Sequence, residues 1–289
     1  MNHNIPKIIH HIAPKDRERW HPLWDKCYPS WKTCFPEFRH ILWNDEEDID
    51  NLVKDKFPEY LELYQSFPVH IMKIDFARLC MLYEYGGMYV DMDVYCYRNF
   101  YNELVEDLYI MEAPYGTEPL ENALMICTKN HWFNKKCMEK CLERFEYISK
   151  QNIPIPFNSD KDKQYYIGAT AGPNLICTVF KENGLSGRNV LPGQIFNNHG
   201  MSYHEAFRTK HLLTGLWGKE AIDELDKQSK GKYKTSLKKW YIDEVSKYAY
   251  MPENITLDEF SVYTDYTNGQ FLKESRFDIN RTTNIYERE

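Results

Sequence analysis

Residues 71–97 read IMKIDFARLCMLYEYGGMYVDMDVYCY, and three signals follow one another along them. A helix-like run comes first and carries Asp75 and Arg78 three positions apart, so that both share one face of a helix. Gly86-Gly87 stops it. A short apolar segment, Met88 to Val90, then delivers Asp91 and Asp93. The stretch predicts a helix, a turn and a strand with two acids at the strand's end. Asp is a poor strand former, so two of them in an apolar context need a reason. A divalent cation is one: Mg²⁺ and Mn²⁺ favour oxygen ligands and commonly take one or two carboxylates together with substrate phosphates. The neighbours of Asp75 and Arg78 (Ile74, Phe76, Ala77, Leu79) are mostly apolar. The pair is therefore expected to be buried, where charges require partners.

Working outward, strand and helix patterns alternate. Residues 6–12 and 38–43 read as strands. Between them, Trp20, Leu23, Trp24, Cys27 and Trp31 recur at helical spacing, with Pro29 interrupting the run. Residues 46–57 and 59–67 read as two short helices separated by Pro58. Downstream, residues 107–112 and 122–128 read as strands and 132–149 as a helix. Gly172 leads into Pro173 at the first turn of a helix that runs to about Glu182. A short strand at 189–191 and an extended segment at 211–217 follow. The alternation predicts an α/β fold with a mostly parallel central sheet flanked by helices. In such sheets ligands bind beyond the carboxyl ends of the strands, which is where Asp91 and Asp93 fall. The texture changes after Gly218. Residues 1–218 are expected to form the functional domain and 219–289 a mainly helical extension packed on or beside it, with its last ten or so residues disordered.

A chain of 289 residues with 43% hydrophobic and 27% charged residues has a globular composition and can bury a substantial core. Its net charge of −7 argues against a nucleic-acid partner, whose phosphates would need neutralising. No apolar run approaches the roughly 20 residues that span a bilayer, and the N-terminus lacks a charged segment followed by a long apolar one. A cytoplasmic location follows as the expectation. Lys227–Lys239 holds six lysines and no acid; it is a solvated helix face or a contact with an anionic membrane surface. The eight Cys include no C-x-x-C pair and are expected to be reduced structural thiols.

The run D-F-A-R-L-C-M-L-Y-E-Y-G-G-M-Y-V-D-M-D, residues 75–93, resembles the core signature of the DXD-containing sugar transferases. These are glycosyltransferase family 32, with the yeast initiating mannosyltransferase and capsular-polysaccharide transferases, and more distantly the clostridial glucosylating toxins. In that signature an Asp and an Arg on a helix precede L-x-x-x-G-G-x-Y-x-D-x-D. Residues 5–12 are similar to the family's first strand, with Ala13 where a base-stacking Trp is usual. Asn122 and His131 resemble the segment after the DXD strand, and Ala171-Gly172-Pro173 resembles a Thr-Gly-Pro at a helix start, with Thr170 one position early. His211 and Trp217 match a late H-x5-W element, with Leu216 where a Ser is common.

The resemblance implies a GT-A-type nucleotide-sugar-binding fold and transfer of a hexose from a UDP- or GDP-linked donor to a glycan or lipid-linked acceptor. Transfer would be retaining and front-face, with Mn²⁺ or Mg²⁺ as cofactor. It implies Asp75, Arg78 and Asp91 as catalytic residues. Ile12, Asp75, Arg78, Tyr89, Asp91, Asn122 and Trp217 would bind the donor, and Asp93 and His211 would hold the metal. Two alternatives stand beside it. One is a sugar-nucleotide or glycan-binding protein without catalysis. The other is a haloacid-dehalogenase-like phosphatase, which also carries D-x-D-x-V but on its first strand.

Overall fold

The structure, a computed structural model, describes residues 4–113, 119–150, 166–197 and 207–212. The expected extension at 219–289, the lysine run 227–239 and Trp217 lie outside the described residues. Among the described residues, six strands form the central sheet: β1 (Ile8–Ala13), β2 (Arg39–Asn44), β3 (Gly87–Val90), β5 (Leu108–Glu112), β6 (Leu120–Cys127) and β7 (Val190–Leu191), in the order β2-β1-β3-β6-β5-β7. The pairs β1–β2, β1–β3 and β5–β7 are parallel, and β6 is antiparallel to both β3 and β5. So β6 alone runs against the other five, and the mostly parallel α/β sheet expected from the sequence is present. A separate antiparallel pair joins β4 (Val94–Cys96) to β8 (Thr209–His211).

The helices follow from where the apolar residues fall. They are α1 (Trp24–Cys34), α2 (Glu47–Lys56), α3 (Leu61–Gln65), α4 (His70–Tyr85), α5 (Trp132–Ser149), α6 (Pro173–Glu182) and α7 (Gly193–Phe196). The strands sort alternate side chains to the two faces of the sheet. Tyr89, Leu108 and Ile110 join one apolar cluster with residues of α2 to α6. Met88, Val90, Tyr109 and Met111 join a second with Trp31 of α1, Phe35 just after it and Phe196 of α7. Pro29, expected to interrupt the first helix, lies inside α1. One lost N–H bond is tolerated there because the face carrying Cys27, Tyr28 and Trp31 is buried against the sheet. No helix among the described residues is long and apolar enough to cross a membrane.

α4 is the pivot. Its residues from Phe76 to Leu82 are all buried, as suits a helix that is apolar nearly all round. Gly86 ends it at φ 64°, donating its N–H to the Leu82 carbonyl at 2.9 Å, a helix stop that favours glycine. Gly87 follows at φ 94°, where a Cβ would run into the Ile8 carbonyl oxygen. The two glycines turn the chain from α4 directly into β3, against β1. Each end of β3 is then pinned by β1. His10 Nε2 contacts the Gly86 carbonyl at 3.0 Å and His11 Nδ1 the Val90 carbonyl at 2.9 Å.

Candidate functional site

Asp91 follows the last residue of β3, and its N–H donates to the Ala123 carbonyl of β6 at 2.8 Å. The strand's alternation sends Tyr89 and Asp91 toward the α4 face of the sheet. Tyr89 donates its hydroxyl to Asp91 Oδ1 at 2.7 Å. Arg78 lies under both. Its Nη2 stands 2.9 Å from Asp75 Oδ1 and 3.5 Å from Asp91 Oδ1, and its Cζ lies 4.6 Å from the Tyr89 ring centre. Asn122 of β6 completes the group. Its carbonyl accepts from Arg78 Nη1 at 2.6 Å, and its side chain donates to Asp75 Oδ1 at 3.0 Å. The expected cluster of Asp75, Arg78, Tyr89, Asp91 and Asn122 is therefore one hydrogen-bonded unit. Gly172, before α6, is packed so closely on it that a Cβ would lie 3.4 Å from Asp75 Oδ2.

Asp93 and His211 meet beside it. The β4–β8 ladder places His211 opposite Val94, and Leu212 N–H donates to the Asp93 carbonyl at 2.9 Å. His211 Nε2 lies 3.2 Å from Asp93 Oδ1. One ligand atom each from Asp91, Asp93 and His211 fall within 4.8 Å of one another. Two carboxylates and an imidazole suit Mn²⁺ well and Mg²⁺ less so, since Mg²⁺ strongly prefers oxygen. The local charge agrees: Asp75, Asp91, Asp93 and Glu121 outnumber Arg78 and a protonated His211, so a cation fits here.

Burial raises the Asp75 carboxyl to about 6, against the pull of Arg78. Burial likewise raises Asp91, again opposed by Arg78. For Arg78 burial disfavours the charge, but Asp91, Tyr89 and Asp75 outweigh it and the guanidinium stays a stronger base than usual. His211 follows the same pattern: burial lowers its basicity, yet the Asp93 and Glu121 carboxylates hold it well above the usual imidazole range. Tyr89 is kept protonated, chiefly by burial, as its role as donor to Asp91 requires.

Other residues singled out in the sequence sit differently. Ile12 keeps its side chain in the apolar cluster with Ile49 and Tyr89, 6% exposed, one residue before the end of β1. Ala13, where a Trp is usual, is buried against Trp20, Tyr28 and Met92. His131 lies at the far end of β6, where its Nδ1 accepts from Phe133 N–H and caps α5. Three residues were not singled out in the sequence. Glu121 accepts from His211 Nδ1 at 2.8 Å; its signal was an acid at the start of an apolar strand. His10 and His11 give no local signal, since a His in a strand reads the same whether or not it pins a neighbour.

Residues 22–110 match the glycosyltransferase sugar-binding region containing the DXD motif. The matched segment includes α4, Gly86-Gly87, β3 and both Asp91 and Asp93, and the resemblance drawn from the sequence holds. The chain is 26% identical over 206 residues to inositol phosphoceramide mannosyltransferase 1 of Schizosaccharomyces pombe, covering 69% of this chain and 59% of that protein. It is 29% identical over 181 residues to mannosyl phosphorylinositol ceramide synthase CSH1 of Saccharomyces cerevisiae, covering 62% of this chain and 43% of that one. The chain thus spans less than two thirds of the length of these yeast relatives. Among solved structures it overlaps the UDP-bound glycosyltransferase domain of the YGT toxin, at 10% identity and a TM-score of 0.45 over 91% of this chain and 94% of that one. D-x-D here follows the third strand of the chain, not the first as a haloacid-dehalogenase phosphatase would have it.

Proposed function

We propose that this protein is a metal-dependent glycosyltransferase that moves a hexose from a nucleotide sugar to a glycan or lipid-linked acceptor, with retention at the anomeric carbon. One observation carries the reading. The Asp75–Arg78–Asp91 network and the Asp91–Asp93–His211 cluster share Asp91 at the carboxyl end of β3, inside the segment that matches the sugar-binding region. The names of the two yeast relatives make a mannosyl donor and a phosphorylinositol-ceramide type of lipid the first pair to test.

In this reading Asp91, Asp93 and His211 hold Mn²⁺ or Mg²⁺. A bound cation would neutralise charge on the leaving diphosphate. Asp75 and Asp91 accept hydrogen bonds from donor hydroxyls, with Asn122 and Tyr89 fixing their orientation. Arg78 bridges the two acids and gives the sugar pocket a fixed positive charge. Gly172 keeps side-chain bulk off the Oδ2 edge of Asp75, where a Cβ would lie at 3.4 Å. The chain's own contribution is position and preorganised charge, which fits front-face transfer assisted by the leaving diphosphate. Residues 1–218 would form the catalytic unit, with Tyr89 and Trp217 lining the diphosphate.

A panel of UDP- and GDP-linked sugars, screened by thermal shift and donor hydrolysis with Mn²⁺, tests this reading. One donor is expected to stabilise and be hydrolysed only with the metal, and Asp93→Ala is expected to abolish both effects. Metal-dependent stabilisation that survives Asp93→Ala would remove the site assignment. Inversion at the anomeric carbon by NMR, or a glycosyl adduct trapped on Asp75, would remove front-face retention.

A further inference from the structure

His211 has two different neighbours, one for each ring nitrogen. Nε2 faces Asp93 at 3.2 Å, on the side where the three ligand atoms converge, and Nδ1 faces Glu121 Oε1 at 2.8 Å. Glu121 reaches the cluster through the far nitrogen of the ring. It is itself held: Asn197 donates to the same Oε1 at 2.8 Å and to the Glu112 carbonyl at 2.9 Å, which ties the residue capping α7 to the ends of β5 and β6. A bulge in the β5–β6 ladder, between Ile110 and Met111, brings Glu121 opposite Met111, and bulges commonly re-aim side chains beside active sites. The next residue, Asn122, bonds Asp75 and Arg78. Two successive residues of β6 thus serve the two halves of the site from opposite sides of one strand.

We propose that Glu121 is a positioning residue for the metal centre: it accepts the Nδ1 proton of His211, fixing the ring so that the Nε2 lone pair points at a cation held with Asp91 and Asp93. A metal-bound imidazole must be neutral and present one nitrogen without a proton. A carboxylate on the other nitrogen selects that tautomer, sets the ring's rotation and raises the ligand's basicity. Without a cation, the same ring bridges Asp93 and Glu121. A bound cation would take the place of the Nε2 proton, which is released to solvent, while the Nδ1 proton stays on its contact with Glu121. Asn197 supports this arrangement by limiting the carboxylate to one orientation.

The inference rests on the metal-site reading above, so its test measures the cation directly, without a sugar donor. Mn²⁺ affinity of the full chain is measured by electron paramagnetic resonance or calorimetry for wild type, Glu121→Ala, Glu121→Gln and Asp93→Ala, with melting temperatures as the fold control. Glu121→Ala is expected to weaken Mn²⁺ about 10–100-fold, the size usual for such outer partners. Glu121→Gln, which keeps an oxygen acceptor for Nδ1, is expected to recover much of that loss. Unchanged affinity in Glu121→Ala overturns the proposal. Equal loss in Ala and Gln also overturns it, because the carboxylate charge or direct ligation would then be what matters. Should Asp93→Ala bind Mn²⁺ like wild type, the metal site itself is misassigned, an outcome separate from the failure of Glu121.

Discussion

Arg78 lies buried between two carboxylates, a backbone carbonyl and a tyrosine ring. A buried charge of this kind is neutral or costly as a net contribution, but removing one partner leaves the other uncompensated. Arg78→Met is therefore expected to lower stability by about 3–5 kcal/mol, the range for breaking a buried pair, as read by denaturant unfolding. Arg78→Lys keeps the charge yet cannot reach Asp75 Oδ1, Asp91 and the Asn122 carbonyl together, since a point ammonium lacks the planar fork. It is expected to fold better than the Met variant and still to lose donor binding. The role of Asp75 and Arg78 as a pair was legible in the sequence, because two charges among Ile74, Phe76, Ala77 and Leu79 had to find partners. That Asn122 would join them through both its carbonyl and its side chain was not, since it arrives from a strand 44 residues away.

At the scale of elements, β1 sets where β3 ends. His10 and His11 point to opposite faces and hold the carbonyls just before and at the end of β3. His10 also accepts from Trp43 Nε1–H at 3.1 Å through its other nitrogen, so its neutral form uses both ring atoms. Burial lowers His10 from 6.5 to about 4 and His11 to about 3, with the bonds to Gly86 and Val90 opposing the shift. Unfolded, both titrate near 6.5. Below that pH the unfolded chain binds protons that the folded chain refuses, so their contribution is complete above 6.5 and is lost as pH falls toward 4. The slope is about 1.4 kcal/mol per pH unit for each group. Raised groups act in the opposite sense, Asp75 below about pH 6 and His211 above 6.5, so the histidine share is read from pH 6.5 to 5 as the difference between wild type and variant. His11→Gln, which retains a donor for the Val90 carbonyl, should flatten the curve; an unchanged slope would mean that His11 is not buried as a neutral ring. The helices and strands around this pin were mostly readable from period and punctuation. β4 was not, because three residues that pair, among the described residues, with β8 carry no period of their own.

For the whole molecule, the site is assembled by parts of the chain far apart in sequence: α4 and β3, the start of β6, and β8. A ligand that binds only this assembled state stabilises the fold by mass action, about 2.7 kcal/mol at a hundredfold excess over its dissociation constant. Saturating Mn²⁺ is expected to raise the melting temperature, excess EDTA to return it to the metal-free value, and Asp93→Ala to erase the difference. A wild-type protein indifferent to both additions would argue against the cation site. The sequence by itself determined the α/β class and the helix–Gly-Gly–strand unit with its acids. Each of these is written in neighbouring residues: hydrophobic period, glycine conformations and the spacing of charges. Only the tertiary structure decided that Glu121 stands behind His211 and that Asn122 joins Asp75 to Arg78. It also decided that His10 and His11 fasten β3. Those contacts depend on strand order, register and one bulge, which arise from the packing of the whole sheet and leave no mark on any short stretch of the chain.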